Sequence, residues 1–243
     1  MAHDQDHACA RHGNALRAAA AVLCFGLWAL PAAAQQPNDP ENDKKLGLWI
    51  DEPISASLSP DRSLELELHQ RFDNGVSSFY EYFFQGGIAF RVRPWLTVLP
   101  SYRYQRFPGD PTIAFENRAL LNATLATELG KWRPILRVLA EGRFPEGRVP
   151  SARLRFRPGT EYSLPLRMAR PPVIGASDEL FFVPGTNSFA AGGAYTQNRF
   201  QVGVRLAIAD YLSIRPYFLL QSVNRATGWE TNKIIGISLG FKF

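Results

Sequence analysis

The chain has 243 residues, a formal net charge of +5 and 46% hydrophobic residues. Both cysteines, Cys9 and Cys24, precede residue 35, so the rest of the chain cannot form a disulfide or a thiolate metal site. No apolar run beyond residue 34 reaches the ~20 residues that a membrane helix needs. A basic charge is compatible with nucleic-acid binding, but in an exported chain we expect no nucleic-acid partner.

Residues 1–34 have the pattern of a secretory signal peptide. Arg11 and Arg17 precede the apolar run 18–30, and small residues lead to a cleavage site after Ala34. The apolar run of about 13 residues is too short to span a bilayer. Removing this segment takes away two acidic and two basic side chains, so the net charge stays at +5. The mature chain is therefore expected to be periplasmic, secreted or a membrane barrel.

The mature chain begins with a polar segment, and apolar and polar residues then alternate along most of its length. Residues 35–61 predict a polar linker followed by a weak strand, because Pro53 interrupts its apolar residues. Residues 62–243 predict the barrel itself. Ten strands are predicted there, over residues 62–72, 80–92, 95–104, 115–129, 134–143, 152–164, 177–183, 198–209, 211–224 and 231–243.

The last strand shows the alternation most clearly. Ile235, Ile237 and Leu239 alternate with glycine and serine, and Phe241 and Phe243 continue the apolar face to the end of the chain. Such a face could cover a soluble core, but it is also what a lipid-exposed barrel strand requires. Residues 80–92 favour the barrel, since soluble strands average about 5–6 residues and tilted membrane strands need about 9–11.

These patterns predict an all-β, antiparallel, up-and-down transmembrane β-barrel of ten strands, with twelve as the alternative. An even count places both termini on the periplasmic side. The aromatic residues Phe241 and Phe243 resemble the assembly signal of bacterial outer-membrane barrels. That resemblance implies the barrel-assembly machinery and outer-membrane lipid as partners. The basic charge makes anionic lipopolysaccharide a further expected partner, and we expect a monomer.

An internal repeat relates residues 87–105 to residues 203–221. Both segments share a leading glycine, a tight turn and a proline, Pro100 or Pro216. The prolines oppose the strand assignment, because each removes one hydrogen bond of the sheet.

The second face of the predicted strands carries many ionised residues. A charge facing lipid costs about 2–4 kcal/mol near the midplane, so we expect these side chains to face the lumen. Two interpretations remain open: a salt-bridge ladder that fills a narrow barrel, or a narrow pore for small anionic solutes. The predicted lumen residues are Glu65, Glu67, Glu116, Arg118, Arg137, Glu141, Arg153, Arg155, Arg157, Arg199 and Arg205.

The sequence gives little support to an enzyme. His69 is the one histidine beyond residue 34, and no nucleophile motif surrounds any serine. No phosphate-binding loop or metal-ligand spacing is present, so we expect no cofactor. A lipid-modifying enzyme stays open as an alternative, as does a surface binding protein, although the predicted outer loops are short.

Several short motifs occur in a fixed order along the chain. They are Glu116-Asn117-Arg118, Glu141-x-Arg143, Arg153-x-Arg155-x-Arg157, Glu179-x-Phe181-Phe182 and Gln197-Asn198-Arg199-Phe200. Their order resembles the uncharacterised outer-membrane barrel family catalogued as domain of unknown function 2490, over about residues 46–243. The resemblance implies an outer-membrane barrel and implies no particular activity.

Overall fold

The computed structural model describes residues 46–73, 75–108, 110, 113–184, 195–225 and 228–243. The predicted signal peptide, its cleavage site and residues 35–45 lie outside the described residues. Within the described ranges the strands are β1 (Gly47–Ser59), β2 (Arg62–Asp73), β3 (Ser78–Arg93), β4 (Leu96–Arg106), β5 (Phe115–Ala126), β6 (Trp132–Pro145), β7 (Ser151–Ser163), β8 (Val173–Phe182), β9 (Tyr195–Ala207), β10 (Leu212–Arg225) and β11 (Gly228–Lys242). None of the described residues forms a helix long and apolar enough to cross a membrane.

The strands form one closed barrel, which confirms the predicted all-β barrel class. Each strand pairs antiparallel with the next, and β1 closes the sheet by pairing parallel with β11. The predicted count of ten is wrong, because the described chain has eleven strands. The extra one is β1, so the barrel wall begins at Gly47 and not at residue 62. The region 164–172 connects β7 to β8 and adds no twelfth strand.

Pro53 is compatible with β1 because it lies at the parallel seam. The β1–β11 pairs stop at Asp51↔Ser238 and resume at Ile54↔Phe241. On the other side, the pairing with β2 runs through Pro53 without a break in register. A proline is tolerated in a sheet where its missing N–H falls outside the hydrogen-bonding pattern.

Because the number of strands is odd, the barrel wall begins at one rim and ends at the opposite rim. One end of the barrel, here called the C-terminal rim, holds the connections 60–61, 94–95, 127–131, 164–172 and 208–211. At the opposite end, the loop rim, β2, β4, β6, β8 and β10 end and β3, β5, β7, β9 and β11 begin. Leu46 lies at the loop rim, where its carbonyl accepts a hydrogen bond from Gly75 N at 3.2 Å, whereas Phe243 bonds to β1 at the C-terminal rim. The expectation that both termini lie on one side is therefore wrong.

The repeated glycine and proline of the two related hairpins belong together. Between β3 and β4 the direct pairs stop at Gly87↔Ser101 and resume at Phe90↔Val98, and Pro100 lies in the gap. Between β9 and β10 a similar gap contains Pro216. A Cβ on Gly203 would lie 2.7 Å from the Pro216 carbonyl oxygen, and a Cβ on Gly87 would overlap the Pro100 carbonyl. Glycine is required because the backbones approach closely where the proline interrupts the sheet.

The barrel is apolar outside and ionised inside. Ile237, on the outer face, is 39% exposed, whereas Glu116 is 0% exposed and Glu141 is 3% exposed. A protein in water distributes these residue types in the opposite way. Large exposed aromatic rings lie near both rims, with Trp95, Trp132 and Tyr211 at the C-terminal rim and Phe144 and Trp229 at the loop rim. This distribution is typical of a barrel surrounded by lipid.

Two carboxylates depart from the apolar outer face. Glu52 lies between the inward-facing residues Asp51 and Pro53 and pairs with Leu68 of β2. Asp178, on the outside of β8, accepts a hydrogen bond from Asn198 Nδ2 at 2.5 Å. The sequence analysis did not identify these outward carboxylates.

Candidate functional site

The first part of the lumen site is built on Glu116. Glu116 and Arg118 are two residues apart on β5, so both point inward. Arg118 Nε donates to Glu116 Oε1 at 2.9 Å, and Arg143 Nε of β6 donates to the same oxygen at 2.6 Å. Both guanidinium groups also reach Oε2, which gives the carboxylate two forked contacts.

Arg155 of β7 connects two further glutamates. Its Nη1 donates to Glu141 Oε1 at 2.6 Å, and its Nη2 donates to Glu179 Oε1 at 2.7 Å. Arg153 pairs with Glu141 at 2.6 Å, and Arg137 pairs with Glu179 at 3.0 Å. These pairs and the Glu116 pairs together form the charge network, which consists of Glu116, Arg118, Arg137, Glu141, Arg143, Arg153, Arg155 and Glu179.

Aromatic rings fill the space beside the charge network. Phe181 is 0% exposed, and the guanidinium groups of Arg155 and Arg199 each lie 4.8 Å from its ring centre. Trp49 has Arg199 at 4.9 Å, and Phe83 has Arg103 at 3.7 Å. Cation–π contacts of this kind stabilise guanidinium groups away from water. The sequence analysis did not predict the inward position of these rings, although in the two-residue alternation they fall in step with the inward-facing polar residues of their strands.

A chain of polar contacts crosses from β10 to β3. The Tyr217 hydroxyl donates to Asp51 Oδ2 at 2.6 Å, and Asp51 contacts His69 Nδ1. Arg71 Nε donates to His69 Nε2 at 2.7 Å, and Arg71 also pairs with Glu81 at 2.5 Å. Because Nε2 accepts from Arg71, the proton of a neutral His69 is assigned to Nδ1, where Asp51 accepts it.

Asp51, Glu67 and His69 bring potential metal-ligand atoms within 4.8 Å of one another. Both ring nitrogens of His69 are already engaged, so coordination of a metal would break one of its contacts. The surrounding arginines also disfavour a cation. The donor set therefore does not fit a metal without rearrangement.

The lumen contains space towards its middle and the C-terminal rim. One cavity of about 230 Å³ is lined by seven arginines and three carboxylates, namely Arg71, Arg103, Arg137, Arg155, Arg157, Arg199 and Arg215 with Asp51, Glu67 and Glu179. A second cavity of about 180 Å³ shares Arg137, Arg157 and Arg215 with the first. Two cavities of about 420 and 380 Å³ lie at the C-terminal rim. At that rim Asp61 accepts a hydrogen bond from Ser59 at 2.7 Å, which lowers the pKa of the Asp61 carboxyl.

The predicted lumen residues outside the charge network also lie on the inner face. Glu65 accepts hydrogen bonds from Ser55 at 2.8 Å and Ser63 at 2.5 Å, while Glu67, Arg157 and Arg199 line the first cavity. Arg205 lies near the C-terminal rim, where it pairs with Glu161 at 3.2 Å. Phe241 and Phe243 end the wall at the C-terminal rim, and their role as an assembly signal stays a prediction.

The fold and its interior define the class of this protein: a closed β-barrel with an arginine-rich lumen behind an apolar outer wall. The chain belongs to the family described as Protein of unknown function (DUF2490), whose profile matches residues 46–232. The match covers more than half of the chain and confirms the family suggested by the sequence motifs.

Two solved structures resemble the barrel. A NanC porin structure has a TM-score of 0.49 and 8% sequence identity, covering 82% of this chain and 99% of the porin chain. The siderophore receptor PirA from Pseudomonas aeruginosa has a TM-score of 0.31 and 13% identity, covering 73% of this chain and 35% of the receptor chain. Both TM-scores are below 0.5, and the barrel description rests on the strand pairings given above. No curated protein matches the sequence significantly.

Proposed function

We propose that the protein is an outer-membrane β-barrel with a narrow, anion-preferring lumen. The observation that carries the proposal is the excess of arginine side chains facing cavities inside an apolar wall. The aromatic residues near both rims support a position in lipid. Outer-membrane barrels have short periplasmic turns and longer external loops, which favours a periplasmic C-terminal rim.

The lumen is not a wide diffusion channel. The charge network fills the loop-rim half between β5 and β8, with Phe181 beside it. Three cavities lie in the C-terminal half, and the first cavity extends from the middle towards the loop rim beside Trp49 and Arg71. We therefore assign a structural or narrow-pore role, with selectivity for small anions because arginines outnumber carboxylates along the passage.

Two measurements test this proposal. Folded, detergent-extracted protein should migrate differently on electrophoresis before and after boiling, as closed membrane barrels do. In planar bilayers the wild type should give small, anion-selective current steps. The Arg155→Ala/Phe181→Ala variant should give larger steps, because it removes side chains that fill the loop-rim half, whereas Arg205→Ala near the other rim should not. Unchanged migration on boiling, or large cation-selective steps from the wild type, would contradict the proposal.

The enzyme alternative receives less support from the geometry. His69 is 4% exposed and is enclosed by Asp51, Arg71 and the rings of Trp49 and Phe83. A lipid substrate at the barrel surface cannot reach this imidazole without opening the wall. If purified protein hydrolysed lipid, His69→Ala should abolish the activity; persistence of the activity would exclude His69 as the base.

A further inference from the structure

Three arginines that line the first and second cavities have at most one carboxylate partner, shared with another arginine. Unlike Arg103 and Arg199, they lie over no aromatic ring among the described residues. Arg137 shares Glu179 with Arg155. Within the described part of the chain, Arg157 donates only to the neutral groups Ser177 Oγ at 3.0 Å and Gln201 Oε1 at 2.6 Å. Arg215 forms no ion pair or hydrogen bond among the described residues. We call Arg137, Arg157 and Arg215 the arginine triad. All three line both the first and the second cavity.

The surrounding carboxylates supply only part of the negative charge that these arginines would need. Glu161 is the one carboxylate in the described lining of the second cavity. It already pairs with Arg133 at 3.2 Å and Arg205 at 3.2 Å. In the first cavity seven arginines face three carboxylates. Enclosed charges without partners are unfavourable, so an anion that entered these cavities would be bound favourably.

We propose that the arginine triad forms a binding site for a small oxyanion, either a carboxylate or a phosphate. The inference rests on the proposed anion-preferring lumen and names the position and chemistry of the ligand. Guanidinium groups bind carboxylate and phosphate oxygens through paired N–H donors, and the Ser177 hydroxyl can supply another donor. Gly175 lies beside Arg215, because a Cβ at position 175 would be 3.4 Å from Arg215 Nη2. The absence of a side chain at this position leaves the space next to the guanidinium group open.

The size of the cavities limits the ligand. The first cavity has a volume of about 230 Å³ and the second a volume of about 180 Å³. For comparison, one water molecule takes up about 30 Å³ in the liquid. Inorganic phosphate or acetate fits within either cavity. The lining of the second cavity includes Gly159, Thr160 and Gly175, which lie on β7 and β8 towards the C-terminal rim.

Calorimetric titration of the folded protein in detergent tests the site. Inorganic phosphate and acetate are titrated separately, with chloride keeping the ionic strength constant. We expect saturable binding of at least one oxyanion, and at least about tenfold weaker binding by Arg157→Gln/Arg215→Gln. Arg157→Lys/Arg215→Lys should bind with intermediate affinity, because it keeps the charges and loses the forked donors. The matched control Arg93→Gln/Arg170→Gln removes two charges at the C-terminal rim and should bind as the wild type does.

Heat-modifiable migration shows whether each variant is folded, and Arg215→Gln alone provides a milder test because Arg215 has no described hydrogen bond to lose. Equal affinities of the wild type and the folded triad variants would overturn the proposal. Absence of saturable binding by both oxyanions up to about 10 mM would also overturn it. Anion-selective conductance without binding would reject the triad site alone, whereas binding without conductance would reject only the pore.

Discussion

The contact between Gly236 and Tyr217 provides a sharp test of the barrel interior. Gly236 faces inward on β11, and the Tyr217 ring lies directly over it. A methyl group added to residue 236 would overlap this ring. Gly236→Ala must therefore displace Tyr217, whose hydroxyl bonds to Asp51 at 2.6 Å.

The expected loss of stability combines two effects. Overpacking in a filled interior costs about 1–3 kcal/mol. Loss of the hydrogen bond from Tyr217 to the Asp51 carboxylate costs about 1.5–3 kcal/mol. Replacing glycine by alanine within a strand returns about 0.5–1 kcal/mol of conformational entropy. The net effect should be a decrease of about 2–5 kcal/mol in the free energy of unfolding.

The assay is urea unfolding of the protein in lipid vesicles, followed by tryptophan fluorescence, since Trp49 and Tyr217 belong to the same buried cluster. Tyr217→Phe keeps the ring and measures the hydrogen-bond contribution separately. Gly142→Ala is the matched control, because its Cβ would make ordinary contacts of 3.4–3.5 Å with Phe144. If Gly236→Ala unfolds within about 0.5 kcal/mol of the wild type, the described packing of Tyr217 is incorrect.

Four further changes test other parts of the structure. Glu141→Gln should lower stability by about 3–5 kcal/mol because Arg153 loses its carboxylate partner and Arg155 loses one of its two, whereas Asp210→Asn, in an exposed pair, should change it by less than about 1 kcal/mol. Equal effects in urea unfolding would contradict the enclosed network. Glu52→Leu should raise stability by about 1–2 kcal/mol in vesicles, since it removes a carboxylate from the lipid face; a decrease would place Glu52 in a polar contact. Deletion of residues 46–59 should abolish heat-modifiable migration, because β2 and β11 would lose their shared neighbour; a folded product would restore the ten-strand barrel. Phe243→Asp should slow assembly into the outer membrane, measured by protease protection in cells, and normal assembly would refute the proposed terminal signal.

The sequence predicted most of the wall because lipid and lumen impose a strict two-residue period. Phe200 and Ile237, for example, lie on the outer face as the alternation required. The sequence predicts only a weak strand in place of β1, because a proline such as Pro53 breaks a strand when its neighbours in the sheet are not known. Its compatibility depends on the parallel seam with β11, which is a long-range feature that local periodicity does not contain.

The charged lumen could be predicted in composition but not in its pairings. A charge is costly in lipid, so Glu116 and Arg155 are predicted to face the lumen. Both side chains are buried inside the barrel. Which arginine meets which glutamate depends on the register between strands and on its shifts, such as the one between Arg71 and Phe72. The interruptions opposite Pro100 and Pro216 have the same origin, since their glycine partners lie on neighbouring strands.

The two halves of the lumen differ in how their arginines are paired. A membrane barrel cannot gain stability from a large apolar core, because its apolar residues face lipid, so forked ion pairs around Glu116 and Glu141 hold the loop-rim half together. Near the middle, Arg157 and Arg215 lack such carboxylate partners and line open space. A purely structural ladder would be expected to pair these arginines too, since enclosed cations without partners destabilise the fold. Arg103 and Arg199 also lack a carboxylate ion pair, but their guanidinium groups lie over the rings of Phe83, Trp49 and Phe181. Among the described residues, Arg157 and Arg215 have neither kind of partner, which is the strongest argument for the proposed anion site.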